Sequence, residues 1–187
     1  MNSTATGDGG AVYFDGTGTA INCNFTGNTA TGDYKYGGAV YFQSTGNVTN
    51  CNFTGNSAVH GGAVYFYSTG NVSICNFTDN TATYGGGAIR MSSGTVTNCN
   101  FANNHASENG GAIRMFSGSV ENCNFTGNNA TTGSAIYFYN LDSSDTLTVS
   151  DSTFLNNRAN AEYLDVVKND DNITITFTGR NNLLNAI

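Results

Sequence analysis

Five cysteines recur along the chain and are the first residues whose type and spacing could do chemistry. They are Cys23, Cys51, Cys75, Cys99 and Cys123. Successive cysteines are 28, 24, 24 and 24 residues apart, and Ser152 stands at the equivalent place of a sixth copy. Repeated thiols could bind a metal or form disulfides, but no second ligand type recurs with them and their number is odd. We therefore predict a buried ladder of free thiols that fills a core, with no metal site.

A column of tyrosines and arginines recurs in the same way and is suited to binding. Its members are Tyr13, Tyr41, Tyr65, Arg90, Arg114 and Tyr137, and an insertion over residues 31–36 adds Tyr34 and Tyr36. Exposed tyrosines offer apolar ring faces with a polar rim, which suit sugar rings or protein partners. Two arginines on neighbouring repeats could bind a uronate or another anion. The alternatives are that the tyrosines only stack to stabilise a sheet face, and that the arginines are a solvated face.

A repeat of about 24 residues must position these side chains. Five copies join a Gly-Gly-Ala-Val/Ile block to a Cys-x-Phe-x-x-Asn-x-Ala block, and the sixth has Gly-Ser-Ala-Ile and Ser152 at these places. Both blocks are rich in residues that form helices poorly. Apolar and polar residues alternate over short segments, which is typical of strands. We therefore predict an all-β, single-stranded parallel β-helix, with six clear coils over residues 9–159 and a degenerate last coil or cap over residues 160–187. The general handedness of parallel crossovers makes it right-handed, and the whole chain, residues 1–187, is one domain.

The alternation also predicts whether the side chains of each column point to the core or to solvent. The Val/Ile position and the Phe/Met position two residues later are apolar in all six copies, so both should face the core. The tyrosine and arginine column lies between them, and an arginine would not be buried unpaired in a thin core. We therefore predict that this column faces water, with the tyrosines of the first coils one above another.

An asparagine follows each core phenylalanine at a fixed distance. The six copies are Asn28, Asn56, Asn80, Asn104, Asn128 and Asn157. Asparagine tolerates the left-handed backbone conformation that a tight corner needs, so we predict that conformation at these residues. Stacked in register, their amides should form a ladder along the rod.

The paired motifs Gly-Gly-Ala-Ile/Val and Phe-x-x-Asn, as at residues 37–40 and 53–56, resemble the hallmark of the polymorphic membrane proteins of chlamydiae. The sequence Asn-Cys-Asn-Phe-Thr-Gly-Asn resembles the large adhesin-like proteins of methanogenic archaea even more closely. The resemblance covers residues 9 to about 159. It implies an extracellular β-helix that acts as a stalk or a binding surface on the cell envelope.

Polysaccharide cleavage is the enzymatic alternative, because many right-handed β-helices are lyases or hydrolases. That chemistry needs carboxylates clustered on adjacent coils, for acid–base work or for calcium. The outward column beside the cysteines carries no acid, and Glu121 and Asp151 lie on a different strand. We therefore expect a surface adhesin or stalk that binds glycans or proteins of other cells, and no enzyme or cofactor. A purely structural spacer remains the second hypothesis.

Composition excludes some partners. With 6 basic and 13 acidic residues the net charge is −7, which argues against nucleic acid as a ligand. No apolar run is long enough to span a membrane. The residues after Met1 do not resemble a signal peptide, so we expect the natural chain to extend upstream. Free solenoid ends invite stacking, which makes end-to-end self-association a further expectation.

Overall fold

The computed structural model describes residues 2–139, 145–159, 166–168, 175–179 and 182–183. In this part of the chain the strands pair in parallel, each with the equivalent strand of the next coil. Three sheets run along the rod, and each coil contributes to all of them. The predicted parallel β-helix with a repeat of about 24 residues is therefore confirmed.

Sheets 1 and 3 each have seven strands among the described residues, one for every coil. Sheet 1 consists of β1 (Thr4–Ala5), β5 (Thr29–Ala30), β9 (Ser57–His60), β12 (Thr81–Gly85), β15 (His105–Ala106), β19 (Asn129–Ala130) and β23 (Arg158–Ala159). Sheet 3 consists of β4 (Asn24–Thr26), β8 (Asn52–Thr54), β11 (Asn76–Thr78), β14 (Asn100–Ala102), β18 (Asn124–Thr126), β22 (Thr153–Leu155) and β26 (Asn182–Leu183).

Sheet 2 contains the Gly-Gly-Ala-Val/Ile segment and the segment that follows it. The first column is β2 (Val12–Phe14), β6 (Val40–Phe42), β10 (Val64–Ser73), β13 (Ile89–Thr97), β16 (Ile113–Met115), β20 (Ile136–Phe138) and β24 (Val166–Lys168). The second column is β3 (Gly18–Ile21), β7 (Gly46–Thr49), β17 (Gly118–Glu121), β21 (Leu147–Ser150) and β25 (Ile175–Thr178). The two columns merge into one sheet because β10 and β13 are long enough to belong to both.

The interior of the coils is filled by columns of like side chains, as the alternation predicted. Val40, Phe42 and Met91 are fully buried, and so are their equivalents in most other coils. The phenylalanine rings of sheet 3 stack with centroids 4.8–4.9 Å apart and planes within 10° of parallel. This distance is the spacing of hydrogen-bonded strands, so each ring packs on its copy in the next coil.

The cysteine column lies in this core, as predicted. Cys51, Cys75, Cys99 and Cys123 are each 1% exposed, Cys23 is partly buried in the first coil, and all five are free thiols. The backbone N–H of Cys51 donates to Cys75 Sγ at 3.4 Å. A hydrogen bond with Cys123, followed by burial, raises the pKa of the Cys99 thiol to about 12. This thiol therefore stays protonated at neutral pH and acts as apolar filling.

The asparagines after Phe-x-x form the predicted amide ladder. Asn80 Nδ2 donates to Asn104 Oδ1 at 3.0 Å, Asn104 Nδ2 donates to Asn128 Oδ1 at 3.0 Å, and the other steps are similar. The prediction that these residues are left-handed is wrong, because the residue before each of them has the positive φ. Those residues are Gly27, Gly55, Asp79, Asn103, Gly127 and Asn156. This preceding turn aims the asparagine side chain inward, where its amide satisfies buried backbone groups.

The described strands within residues 160–187 (β24, β25 and β26) extend sheets 2 and 3 beyond the sixth coil. The rest of that predicted coil or cap lies outside the described residues, as does Met1. Within the part that the structure describes, no helix is long and apolar enough to cross a membrane.

Candidate binding site

The tyrosine and arginine column lies on the outward side of sheet 2. Register pairs Tyr13 with Tyr41, Tyr41 with Tyr65, Tyr65 with Arg90, and Arg90 with Arg114, and Tyr137 follows. Tyr13 and Tyr41 stack at 4.9 Å, and Tyr41 and Tyr65 stack at 5.4 Å. The structure therefore brings the six predicted column residues together in one continuous row.

The prediction that this row faces water is wrong for its middle members. Tyr41, Tyr65 and Arg114 are only 4%, 7% and 6% exposed, whereas Tyr13 is 48% exposed. None of them belongs to the apolar core, so the row does point away from the interior. A second layer of side chains covers it, and this layer comes from both sides of the sheet 2 strands.

One part of the covering layer consists of residues that come shortly before a Gly-Gly. The ring of Tyr36 lies 4.6 Å from that of Tyr65 and 5.3 Å from that of His60. His60 in turn meets the ring of Tyr84 edge-on at 4.8 Å. The corner side chains of three coils thus lie against one another and over the row on sheet 2.

Aromatic rings surround both guanidinium groups. Arg90 Cζ lies 5.1 Å from the ring centroid of Tyr65 and 5.7 Å from that of Phe116. Arg114 is within cation–π distance of three more tyrosine rings, as rings placed about 6 Å or less from a cation attract it. Those rings are Tyr84 at 5.1 Å, Tyr139 at 5.1 Å and Tyr137 at 5.8 Å.

We call this assembly the tyrosine–arginine cluster. It comprises Tyr13, Tyr36, Tyr41, His60, Tyr65, Tyr84, Arg90, Arg114, Phe116, Tyr137 and Tyr139. The predicted site residue Tyr34 is 74% exposed, and its ring is not stacked on any ring of the cluster within the described part of the chain. The interpretation of the arginines as a solvated face is wrong for Arg114, which is buried beneath Tyr84 and Tyr139.

Polar atoms in the cluster lack partners. Among the described residues, four buried nitrogens have no hydrogen bond: Arg90 Nε, Arg114 Nε, Arg114 Nη1 and His60 Nδ1. Burial lowers the pKa of Arg90 and raises the pKa of Tyr65. Burial, followed by the charges of Arg90 and Arg114, lowers the pKa of His60 to about 3. The histidine is therefore neutral at physiological pH, and the two arginines are the charged groups of the cluster.

Four members of the cluster were not predicted from the sequence: His60, Tyr84, Phe116 and Tyr139. A signal for them was present. Tyr36 and His60 come directly before a Gly-Gly, and Tyr84 comes directly before three glycines, residues 85–87. Phe116 and Tyr139 directly follow a core Met or Phe. These positions flank the tyrosine and arginine row along the chain, so bulky aromatic residues there can fold over it.

We expect the protein to lose stability as the pH falls below about 6.5, and a His60→Gln variant to lose less. The unfolded chain protonates His60 near the ordinary pKa of about 6.5, whereas the folded protein does so only near 3, so acid favours the unfolded state. Between pH 7 and pH 5 this linkage costs the folded protein about 1–2 kcal/mol. Urea unfolding of both proteins at the two pH values measures the difference.

The control for this titration is His105→Gln, because His105 is the other histidine of the chain and is exposed. It should keep the pH dependence of the parent. An unchanged pH dependence in His60→Gln would contradict the assignment of a neutral, buried His60.

Coils stacked through three parallel sheets, with an amide ladder and a stacked apolar core, define a β-solenoid repeat domain. The chain belongs to the right-handed β-helix family, since the family model described as right handed beta helix region matches residues 10–185. The right-handed coiling that was predicted from general principles is therefore shown. No curated protein and no solved structure matches the chain.

Proposed function

We propose that this chain is an adhesin-like domain displayed outside the cell, in which the β-helix is a stalk and the tyrosine–arginine cluster is a surface that binds glycans of other cells. The proposal gives the chain no catalytic role. It agrees with the resemblance to adhesin-like β-helix proteins and to chlamydial polymorphic membrane proteins.

The observation that carries the proposal is the composition of the cluster. Aromatic rings converge there from several coils, and two arginines among them have no counter-ion among the residues that the structure describes. Rings with polar rims can pack against sugar rings, and they are enriched where proteins bind partners. A face needed only for stacking would gain nothing from two uncompensated charges, because their desolvation is unfavourable.

A structural spacer is the second candidate function. The stacked phenylalanines and the continuous amide ladder make a uniform rod that needs no ligand for its stability. Such a rod could hold another binding domain away from the cell. The two candidates differ in one measurable property, which is whether this domain binds a glycan by itself.

We expect the parent protein to bind a subset of glycans on an array, and a Tyr13→Ser/Tyr84→Ser variant to lose about tenfold or more of that affinity. These two tyrosines are the most exposed rings of the cluster, at 48% and 38%, so their removal leaves the buried rings in place. Calorimetric titration with the best glycan measures the loss.

The control for this experiment is Tyr34→Ser, which removes a more exposed ring that is not stacked in the cluster. It should bind as the parent does. Absence of glycan binding by the parent would overturn the adhesin proposal and favour the spacer. Equal loss in the control would show that binding does not use the cluster.

A further inference from the structure

Arg90 and Arg114 present two positive charges on consecutive coils, and no carboxylate of the described residues is paired with them. Their backbones are directly paired in register. The groups that act most strongly on Arg90 are Tyr65, Arg114, Tyr36 and Tyr84, and none of these is a carboxylate. The chain has 13 acidic residues and a net charge of −7, yet none of those in the described part compensates this pair.

The burial of Arg114 makes this arrangement costly. Its side chain is 6% exposed, and Nε and Nη1 donate to no acceptor in the described part of the chain. Burying an unpaired charge is strongly unfavourable, and cation–π contacts with the surrounding rings offset only part of that cost. The second guanidinium, one coil away, adds repulsion. An anion held between the two groups would remove both penalties.

The surroundings of the pair select the kind of anion. Rings line the guanidinium groups on several sides: Tyr65 and Phe116 beside Arg90, and Tyr84 beside Arg114. A guanidinium recognises a carboxylate through two parallel hydrogen bonds, and ring faces pack on the C–H faces of a sugar. A sugar that carries a carboxylate satisfies both requirements at once.

We propose that Arg90 and Arg114 are the carboxylate-binding residues of the cluster and that its ligand is a glycan containing uronic acid. This inference rests on the proposed adhesin function and names the ligand class. Arg90 is partly exposed and meets the ligand first. Tyr84, whose ring is 38% exposed, lies over Arg114, and it shifts to admit the carboxylate while its ring packs against the sugar.

The backbone at the corner is shaped around Arg114. Gly85 stands directly beneath it, and a Cβ atom at that position would come within 2.9 Å of Arg114 Cδ and 3.3 Å of Nη1. The coil before it has His60 at the paired position. The side chain missing at Gly85 therefore makes the room that the guanidinium occupies.

The test uses the whole domain with tetragalacturonic acid as the probe and its methyl ester as the neutral match. We expect calorimetric titration to show binding of the acid, and at least about tenfold weaker binding of the ester. Arg90→Gln and Arg114→Gln should each weaken binding of the acid roughly tenfold to hundredfold, as expected for hydrogen bonds between charged groups. Arg158→Gln is the matched control, because Arg158 is exposed on sheet 1 and should leave binding unchanged.

The ester comparison needs no variant, so it remains decisive if an arginine variant fails to fold. Equal binding of acid and ester, or full binding by both arginine variants, would overturn the carboxylate assignment. If neutral glycans bind in a manner sensitive to Tyr84→Ser, the adhesin proposal would still stand. Binding of a polyglutamate peptide in place of the sugar acid would overturn the glycan ligand, and no binding of any glycan would overturn both proposals.

Discussion

Replacing Asn104 with alanine is expected to lower the free energy of unfolding by about 3–6 kcal/mol, since each buried group left without a partner costs about 1–3 kcal/mol. The amide donates to Asn128 Oδ1 and to the carbonyl of Phe77, each at 3.0 Å. Its oxygen accepts from the backbone and side-chain nitrogens of Asn80, at 3.1 Å and 3.0 Å. Alanine supplies none of these contacts, so the Phe77 carbonyl and both nitrogens of Asn80 lose a partner. Asn128 Oδ1 keeps only the bond from the backbone N–H of residue 104.

The matched control is Asn100→Ala in the same coil. Asn100 also stands in an amide ladder, donating to Asn76 Oδ1 at 2.9 Å and accepting from Asn124 Nδ2 at 2.9 Å. That ladder is exposed, so water replaces the lost bonds and the change should stay within about 0.5 kcal/mol. Urea unfolding of both variants gives the comparison. Similar losses in the two would show that burial of the inner ladder does not matter.

The second large effect is expected at Gly87, where alanine should destabilise the protein by about 3 kcal/mol or more. A Cβ atom there would lie 2.0 Å from the carbonyl oxygen of Gly111 and 2.6 Å from that of His105. Both obstacles are backbone atoms, which cannot rotate away as a side chain would. The coils would have to separate at this corner. This separation would break the contacts between neighbouring coils on which the stability of a solenoid depends.

Substitutions at two further glycines distinguish the effect of this steric clash from the effect of backbone strain. Gly16→Ala meets no atom within 4 Å, and its φ is not in the left-handed region, so stability should change by less than about 0.5 kcal/mol. Gly55→Ala also meets open space but has φ +62°, so it should cost about 1–2 kcal/mol through strain alone. Thermal unfolding ranks the three variants. A Gly87→Ala protein as stable as Gly55→Ala would mean that the coils can yield at the Gly-Gly corner.

The core columns could be predicted because identical coils stack in register. Each inward position meets only its own copy above and below, so the type of residue that recurs there reports its surroundings. Phe53 packs on Phe77 and Cys51 lies next to Cys75 for this reason. The ladder through Asn104 followed from the same argument.

Corner geometry was less predictable, because neighbouring corner residues have similar types. Asn103 and Asn104 are adjacent and identical, yet only Asn103 has positive φ. The cysteine spacing also hides a local change in the fourth coil. One residue is added before Gly86 and one is lost after Met91, so the spacing stays at 24 while the register shifts twice.

The sequence by itself determined the repeat, the parallel sheets, the buried columns and the row that contains Arg90 and Arg114. These follow from a period of two within strands and from stacking between coils, which are local rules. Only the tertiary structure decided that Arg114 is buried and that His60 and Tyr84 lie over the row. That outcome depends on how far each corner extends before its Gly-Gly and on which bulky side chains fold back over sheet 2. Contacts between different columns depend on the shape of the whole coil. They therefore cannot be predicted from the residues of any single column of the repeat.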